Sequence, residues 1–178
     1  MANKSIAIIG TVGIPAKYGG FETLAENLVT YLSSEYNITV FCSGKAYDDR
    51  PDSFNGAKLK YINLSANGPA SIFYDIFSII NSLKFADVLL ILGVSGCVSL
   101  PIVRLLSKKK IIVNIDGLEW KRGKWSRFAK WFLKFSEALA VRYADVIIAD
   151  NRVIQEYIAN EYGKLSELIS YGGDHAQL

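Results

Sequence analysis

The chain has 178 residues, of which 51% are hydrophobic and 21% charged, and its formal net charge is +3. This balance is typical of a globular protein of about one domain, and it excludes an intrinsically disordered chain. Cys42 and Cys97 have no neighbouring His or Cys cluster, which excludes a disulfide framework and a zinc site, so both thiols are expected to be reduced and buried.

Strand-like and helix-like segments alternate from the amino terminus onward. Residues 1–4 lead directly into the first strand, which leaves no room for a secretion signal and predicts a cytoplasmic protein. The predicted strands are residues 5–9, 38–42, 59–64, 88–92, 111–115, 146–149 and a short one at 168–170. The predicted helices are residues 21–33, 69–85, 98–106, 125–143 and 152–162.

Strands that are apolar on both faces and alternate with helices predict an α/β fold with a doubly wound parallel sheet. In such sheets, ligands bind beyond the carboxyl ends of the strands. The loops that begin at Gly10, Gly93 and Asp116 are therefore expected to converge on one crevice. The polar connection at residues 43–56 suggests no chemistry.

A glycine-rich loop at residues 10–19 joins the first strand to the first helix. It exceeds the 2–6 residues that are usual in such connections, which favours a functional loop. Gly19 and Gly20 lack Cβ atoms and precede a helix start, where unpaired amides carry about half a positive charge, so we expect a phosphate here. The spacing matches neither the dinucleotide fingerprint nor a Walker loop. The alternative is a tight connection without a ligand.

The segment from Arg104 to Lys134 concentrates positive charge. It contains ten of the twenty Lys and Arg residues and two acidic ones, so it carries +8 while the whole chain carries +3. At helical spacing, one stripe is expected to pack on the sheet, formed by Trp125, Phe128, Phe132, Phe135 and Leu139. The other side is expected to face an anionic membrane and carries Lys124, Arg127, Lys130, Trp131 and Lys134. A solvated helix face is the alternative, and nucleic-acid binding lacks any accompanying motif.

Two stretches, residues 9–23 (IGTVGIPAKYGGFET) and 114–125 (NIDGLEWKRGKW), resemble the N-terminal half of bacterial rhamnosyltransferases in glycosyltransferase family four. The similarity continues through residues 144–151 and 171–175. These retaining enzymes have the GT-B architecture, two Rossmann-like domains that face each other across a cleft. The resemblance implies a Rossmann-like acceptor-binding domain at residues 1–170 and, at 171–178, the start of a linker to a C-terminal donor-binding domain. The chain alone would then be inactive.

Enzymes of this kind transfer L-rhamnose from dTDP-L-rhamnose to an undecaprenyl-diphosphate-linked sugar in capsule or cell-wall polysaccharide synthesis. The resemblance therefore implies a nucleotide-sugar donor, a lipid-linked acceptor and peripheral attachment to the anionic inner face of the cell membrane. From the residues themselves, no metal is expected because no group of carboxylates has ligand spacing, and no nucleic acid is expected because no reading motif accompanies the charge. No cofactor is expected besides the donor substrate. The leaving phosphate itself accepts the proton in such transfers, so the protein's main contribution would be to stabilise charge on that phosphate.

The same resemblance implies roles for individual residues. Asp116 stands where many relatives carry a His that contacts the transferred sugar, which makes it the candidate catalytic residue and a contact for acceptor hydroxyls. The residues implied at the donor diphosphate are Gly19, Gly20 and Glu22. The residues implied at the acceptor are Lys17, Tyr18, Glu119, Trp120, Lys121 and Arg122.

Two other functions stay open from the sequence. One is a non-catalytic module that docks on a membrane or a partner and merely keeps the fold. The other is a nucleotide-dependent oxidoreductase or epimerase, which would need an acidic residue at the end of the second strand to hold the ribose. Residues 41–43 (FCS) stand there instead.

Overall fold

A parallel sheet forms the centre of the molecule. The computed structural model describes residues 3–170, except Tyr18, Asp116, Arg122, Lys124 and the side chain of Glu119. Within these residues the strands are β1 (Ser5–Ile9), β2 (Asn37–Ser43), β3 (Ser53–Phe54), β4 (Ala57–Ile62), β5 (Val88–Leu92), β6 (Lys110–Ile115), β7 (Val146–Ala149) and β8 (Glu167–Leu168). The helices are α1 (Gly20–Leu32), α2 (Ala70–Ser82), α3 (Leu100–Leu106), α4 (Arg127–Tyr143) and α5 (Arg152–Tyr162), with 3-10 turns at Cys97–Ser99 and Glu119–Lys121.

In the described part of the chain, the strands form one sheet in the order β3-β4-β2-β1-β5-β6-β7-β8. All neighbours pair in parallel except β3 and β4, which form an antiparallel hairpin. The central strands are continuous apolar runs because helices cover both sheet faces. The predicted α/β fold with a doubly wound parallel sheet is confirmed.

The short strand β3 and its hairpin with β4 are the features that the sequence analysis missed. β3 falls within the polar connection at residues 43–56, whereas β4 overlaps the predicted strand at residues 59–64. The hairpin turn is formed by Asn55 and Gly56, which have φ angles of 45° and 86°. An Asn-Gly pair is the strongest local signal for a two-residue hairpin turn, because both positions require a positive φ angle. The signal was therefore present in the sequence.

Helices cover the two faces of the sheet unequally. Among the described helices, only α1 packs on one face, where Ala25 and Val29 contact a cluster that contains Ile8 and Val40. The helices α2, α3, α4 and α5 pack on the other face around a larger cluster that contains Leu89. The loop after β1 therefore leads to a helix on one face of the sheet, and the connections after β5 and β6 lead to helices on the other.

The orientation of α4 differs from the prediction. Phe128 and Phe135, which were expected to pack on the sheet, are 74% and 45% exposed. The buried face consists of Leu133, Ser136, Glu137, Ala140 and Val141. Small residues at Ser136 and Ala140 allow the helix backbone to approach closely, and the Ser136 hydroxyl donates a hydrogen bond to the Val94 carbonyl. The bulky aromatic stripe is turned outward instead.

Candidate functional site

The strands β1, β5 and β6 end side by side, and the place beyond their carboxyl ends is called the crevice below. These three strands are direct neighbours in the sheet, so the loops that follow them are adjacent, as predicted. Gly10, with φ +94°, passes so close to β5 that an added Cβ would lie 2.0 Å from the Leu92 carbonyl oxygen. The Gly93 amide donates to the Asn114 carbonyl at 2.9 Å, which ties the ends of β5 and β6 together. Asp116 itself lies outside the described residues.

The glycine-rich loop is held in shape by its own side chains. Glu22, buried in the first turn of α1, accepts hydrogen bonds from the Val12 amide at 2.7 Å and from the Thr11 hydroxyl at 3.0 Å. The Gly13 amide donates to the Thr11 hydroxyl oxygen at 3.2 Å. The amides of Val12 and Gly13 are therefore already paired, whereas the amides predicted to bind a phosphate are those at the start of α1. In this structure Glu22 shapes the loop, and its place near a donor diphosphate stays a prediction.

The amides at the start of α1 are the part of the loop where an anion could still bind. The Ala16 amide is paired with Glu26 at 2.6 Å, whereas no side chain among those described caps the first turn of α1. Gly19 and Gly20 are both exposed there. An added Cβ on Gly19 would lie 2.0 Å from Glu22 Oε2, so this glycine lets the carboxylate lie against the backbone. The Glu22 charge offsets part of the positive helix end, which weakens its attraction for an anion.

The outer part of the same loop packs against the segment that follows β2. Lys17 donates to the Ala46 carbonyl at 3.1 Å, and its ammonium group lies 4.4 Å from the centre of the Tyr47 ring. The Tyr47 hydroxyl donates to the Pro15 carbonyl at 2.8 Å. Lys17, which was predicted at the acceptor, is thus exposed, and its side chain contacts the segment that follows β2. Tyr18 lies outside the described residues.

A buried carboxyl group beside the crevice was missed by the sequence analysis. Asp75 of α2 is 4% exposed and accepts a short hydrogen bond from Ser95, in the loop after β5. Gly96 makes this contact possible, because an added Cβ there would lie 2.4 Å from the Asp75 Cβ. Burial raises the pKa of Asp75 to about 7, against the lowering effect of the Ser95 hydrogen bond. The sequence signal for this buried carboxyl group was a single acidic residue within the apolar pattern of α2.

The raised pKa of Asp75 predicts a pH-dependent stability. Between pH 3.8 and about 7 the folded chain binds more protons than the unfolded chain, so stability should fall as the pH rises through this range. The contribution is at most ~1.4 kcal/mol per pH unit. Asp75→Asn should remove it and exposed Asp49→Asn should not, as measured by urea unfolding at several pH values. Equal pH slopes in wild type and Asp75→Asn would contradict the assignment.

On the far side of the crevice, the ammonium group of Lys134 is enclosed by aromatic and acidic side chains. This group of side chains, the Lys134 cage, consists of Trp120, Tyr157, Tyr162, Glu137 and Glu161. The ammonium nitrogen lies 4.8–4.9 Å from the three ring centres and 2.8 Å from Glu161. Burial lowers the pKa of Lys134, but hydrogen bonds to Glu161 and Tyr157 outweigh that effect and raise it overall.

The cage supports the short 3-10 turn that carries predicted acceptor residues. Trp120 packs 6.5 Å from the Tyr157 ring, and exposed Lys121 lies over both rings at 5.3 and 5.7 Å. The indole nitrogen of Trp120 is buried and has no hydrogen-bond partner within the described structure. Trp120 and Lys121 thus share this turn, and their role at an acceptor stays a prediction. Arg122 and the side chain of Glu119 lie outside the described part.

The residues predicted to face a membrane separate into two groups. Arg127 is exposed, Lys130 is half-buried, and Trp131 is 62% exposed on the outer side of α4. Lys134 differs from the prediction because it turns inward to the cage, attracted by Glu137 and Glu161. Lys124 lies outside the described residues. None of the helices in the described ranges is long and apolar enough to cross a bilayer.

A small apolar pocket of about 110 Å³ lies between α1 and the sheet, just below the crevice. Its walls are Leu24, Leu28, Leu90, Leu92, Asn114, Ile148 and Ile169. Asn114 is the one polar member of this lining, and its buried Oδ1 atom has no hydrogen-bond partner among the described residues. The surface that lines this pocket is therefore apolar.

The described residues contain no group of three or more His, Cys, Asp or Glu side chains that could hold a metal ion. Cys42 and Cys97 are buried and unpaired, as predicted. Burial raises the pKa of both thiols, that of Cys42 to about 11, so neither is available as a thiolate ligand. That the protein works without a metal stays a prediction.

Solved structures with a similar fold include sucrose-phosphate synthase from Thermosynechococcus elongatus. It aligns with a TM-score of 0.61 at 14% identity, over 96% of this chain and 91% of that one. UDP-N-acetylglucosamine 2-epimerase from Rickettsia bellii aligns with a TM-score of 0.54 at 19% identity, over 89% of this chain and 42% of the epimerase. Another UDP-N-acetylglucosamine 2-epimerase aligns with a TM-score of 0.54 at 13% identity, over 97% of this chain and 48% of the epimerase. This chain thus spans less than half of these epimerases and shares the Rossmann-like fold of GT-B proteins.

The sequence comparisons add a family. A profile described as "Domain of unknown function (DUF1972)" matches residues 3–174. Among curated protein sequences, none matches the chain.

Proposed function

We propose that this chain, which belongs to the DUF1972 family, forms the acceptor-binding half of a glycosyltransferase that moves L-rhamnose from dTDP-L-rhamnose to a lipid-diphosphate-linked sugar. The observation that carries the proposal is the crevice at the adjacent ends of β1, β5 and β6. In open α/β sheets this is where ligands bind. The fold likeness to a sucrose-phosphate synthase supports a sugar-transferring enzyme over an unrelated α/β protein.

In this proposal one side of the crevice binds the donor and the other side binds the acceptor. Exposed Gly19 and Gly20 at the start of α1 lie near the donor diphosphate, where backbone amides stabilise the charge of the leaving phosphate. Lys121, resting on Trp120, holds the acceptor diphosphate, and Asp116 orients acceptor hydroxyls. A second domain at residues beyond 170 would close the crevice and bring the donor.

A lipid-linked acceptor places the enzyme at the inner face of the cell membrane. We propose that the domain associates there peripherally, through the outer face of α4. Exposed Arg127 and Trp131 support this, because basic and aromatic side chains favour the headgroup region of an anionic bilayer. Capsule or cell-wall polysaccharide would be the product of the pathway.

Calorimetric titration of the chain with a sugar linked through diphosphate to farnesol tests the acceptor site. The chain should bind this analogue, and Lys121→Ala should weaken binding about tenfold because a charge-assisted contact is lost. Lys58→Ala, an exposed lysine on β4, is the matched control and should bind normally. Equal affinities of wild type and Lys121→Ala would refute this acceptor site.

Radiolabelled dTDP-L-rhamnose tests the reaction. The chain alone should transfer no label to the analogue, because the donor half of the cleft is missing. Efficient transfer by the chain alone would disprove the need for a second domain. Conversion of UDP-N-acetylglucosamine to its 2-epimer would instead favour an epimerase, the activity named for two structures of similar fold.

A further inference from the structure

The outer surfaces of α2, α3 and α4 are unusually apolar. These neighbouring helices pack on the same face of the sheet. Each one exposes a stripe of large hydrophobic side chains at helical spacing, with individual exposures from 45% to 86%. The nine residues, called here the platform, are Phe73, Phe77 and Ile80 of α2, Ile102, Leu105 and Leu106 of α3, and Phe128, Trp131 and Phe135 of α4.

The aromatic part of the platform is ordered by ring contacts. The Trp131 and Phe135 rings stack at 5.7 Å with an interplanar angle of 3°, and the Phe128 ring lies 6.0 Å from Trp131. Three rings are thus held side by side and point away from the sheet. Large exposed apolar areas mark sites of interaction with a membrane or another protein.

The exposed charged side chains on these three helices are all basic. The acidic residues within α2, α3 and α4 are Asp75 and Glu137, and both are buried. The basic residues Arg127, Lys130 and Arg142 lie on α4, and exposed Lys108 follows α3 directly. The platform is therefore apolar, bordered by positive charge and free of exposed acidic side chains on its helices. This combination matches the interface of an anionic bilayer.

We infer that the platform as a whole, and not α4 alone, is the surface with which this domain lies on an anionic lipid bilayer. The inference rests on the membrane association in the proposed function and is independent of the transfer reaction. A second copy of the chain is a poorer partner, because two platforms facing each other would bring like charges on α4 together. A bilayer supplies both an apolar interior and negative headgroups.

The test is co-sedimentation of the chain with vesicles of phosphatidylcholine that contain phosphatidylglycerol. Leu105→Gln with Leu106→Gln removes the α3 stripe, which has no part in the basic face of α4. Binding should weaken about tenfold or more, because these side chains are 86% and 74% exposed in the free protein and would be buried in the membrane. Phe73→Gln with Phe77→Gln on α2 should act in the same direction.

Tyr31→Gln is the matched control, since Tyr31 is 75% exposed on α1 at the opposite face of the sheet. It should leave binding unchanged. Arg127→Glu with Lys130→Glu should weaken binding about 25-fold or more, at about fivefold for each basic residue. Pure phosphatidylcholine vesicles should bind the wild type less tightly by a similar factor.

The possible outcomes distinguish membrane contact through α4 alone from contact through the whole platform. If the α3 and α2 variants bind like the wild type while the charge reversal abolishes binding, contact through α4 stands and the platform is wrong. If the wild type binds neither vesicle, both membrane proposals fail and the transfer reaction is still testable. If light scattering shows that the wild type is a dimer that the α3 variant dissociates, the platform is an interface between copies.

Discussion

Gly10→Ala is expected to lower the free energy of unfolding by about 3–5 kcal/mol, as measured by urea denaturation. The new Cβ would lie 2.0 Å from the Leu92 carbonyl oxygen and 3.0 Å from its carbon. Both atoms belong to the backbone of a central strand, so neither can swing aside. The φ angle of +94° adds strain for any residue with a Cβ. The substitution would push the glycine-rich loop away from β5 and open the wall of the crevice.

Gly68→Ala separates the two causes. Gly68 also has a positive φ, +67°, but an added Cβ would meet nothing within 4 Å. This variant should lose only about 1 kcal/mol, the cost of the backbone conformation itself. If both variants lost the same amount, close packing of the loop on β5 would not be the reason for glycine at position 10.

Glu137→Ala is expected to destabilise the fold by about 3–5 kcal/mol. Glu137 is 1% exposed, and its Oε1 atom accepts hydrogen bonds from Tyr157 and Tyr162 at 2.6 Å each. The same atom lies 3.5 Å from the Lys134 ammonium group. Removal of the carboxylate leaves two half-buried tyrosine hydroxyls and a partly buried positive charge without this partner. Glu137→Gln retains an acceptor and should lose less.

Glu161→Ala is the matched control for the Lys134 cage. Glu161 also pairs with Lys134, at 2.8 Å, but its side chain is 47% exposed. Water replaces an exposed partner at little cost, so this variant should lose less than about 1 kcal/mol. Thermal and urea unfolding of the two alanine variants give the comparison. Similar losses would mean that burial of Glu137 does not determine the stability of the cage.

The cage also connects stability to the proposed acceptor site. Trp120, in the 3-10 turn after β6, lies 4.8 Å from the Lys134 ammonium group and 6.5 Å from the Tyr157 ring. Loss of Glu137 is therefore expected to disturb the turn that carries Lys121. A stable variant with weakened binding of the farnesyl-linked analogue would show this positioning effect directly.

Local sequence patterns were sufficient for most of the secondary structure and for the location of the crevice. The predicted strands at residues 5–9, 88–92 and 146–149 and the helix at 152–162 coincide with the observed ones. Alternation of apolar strands with helices also indicated which strand ends meet. These features are decided by residues close in the sequence, by side-chain periodicity and by the positions of glycine.

The sequence by itself determined the order of elements, the parallel sheet and the glycine-rich loop after β1, whereas the contact of Gly10 with β5 appeared only in the structure. Only the tertiary structure decided which way side chains point. The helix α4 carries two apolar stripes, and periodicity does not state which one faces the sheet; close approach through Ser136 and Ala140 selects the smaller one. In the same way, Lys134 turns inward because α5 brings Glu161 and the Tyr157 and Tyr162 rings next to it. Such choices depend on partners distant in the sequence, so no local pattern contains them.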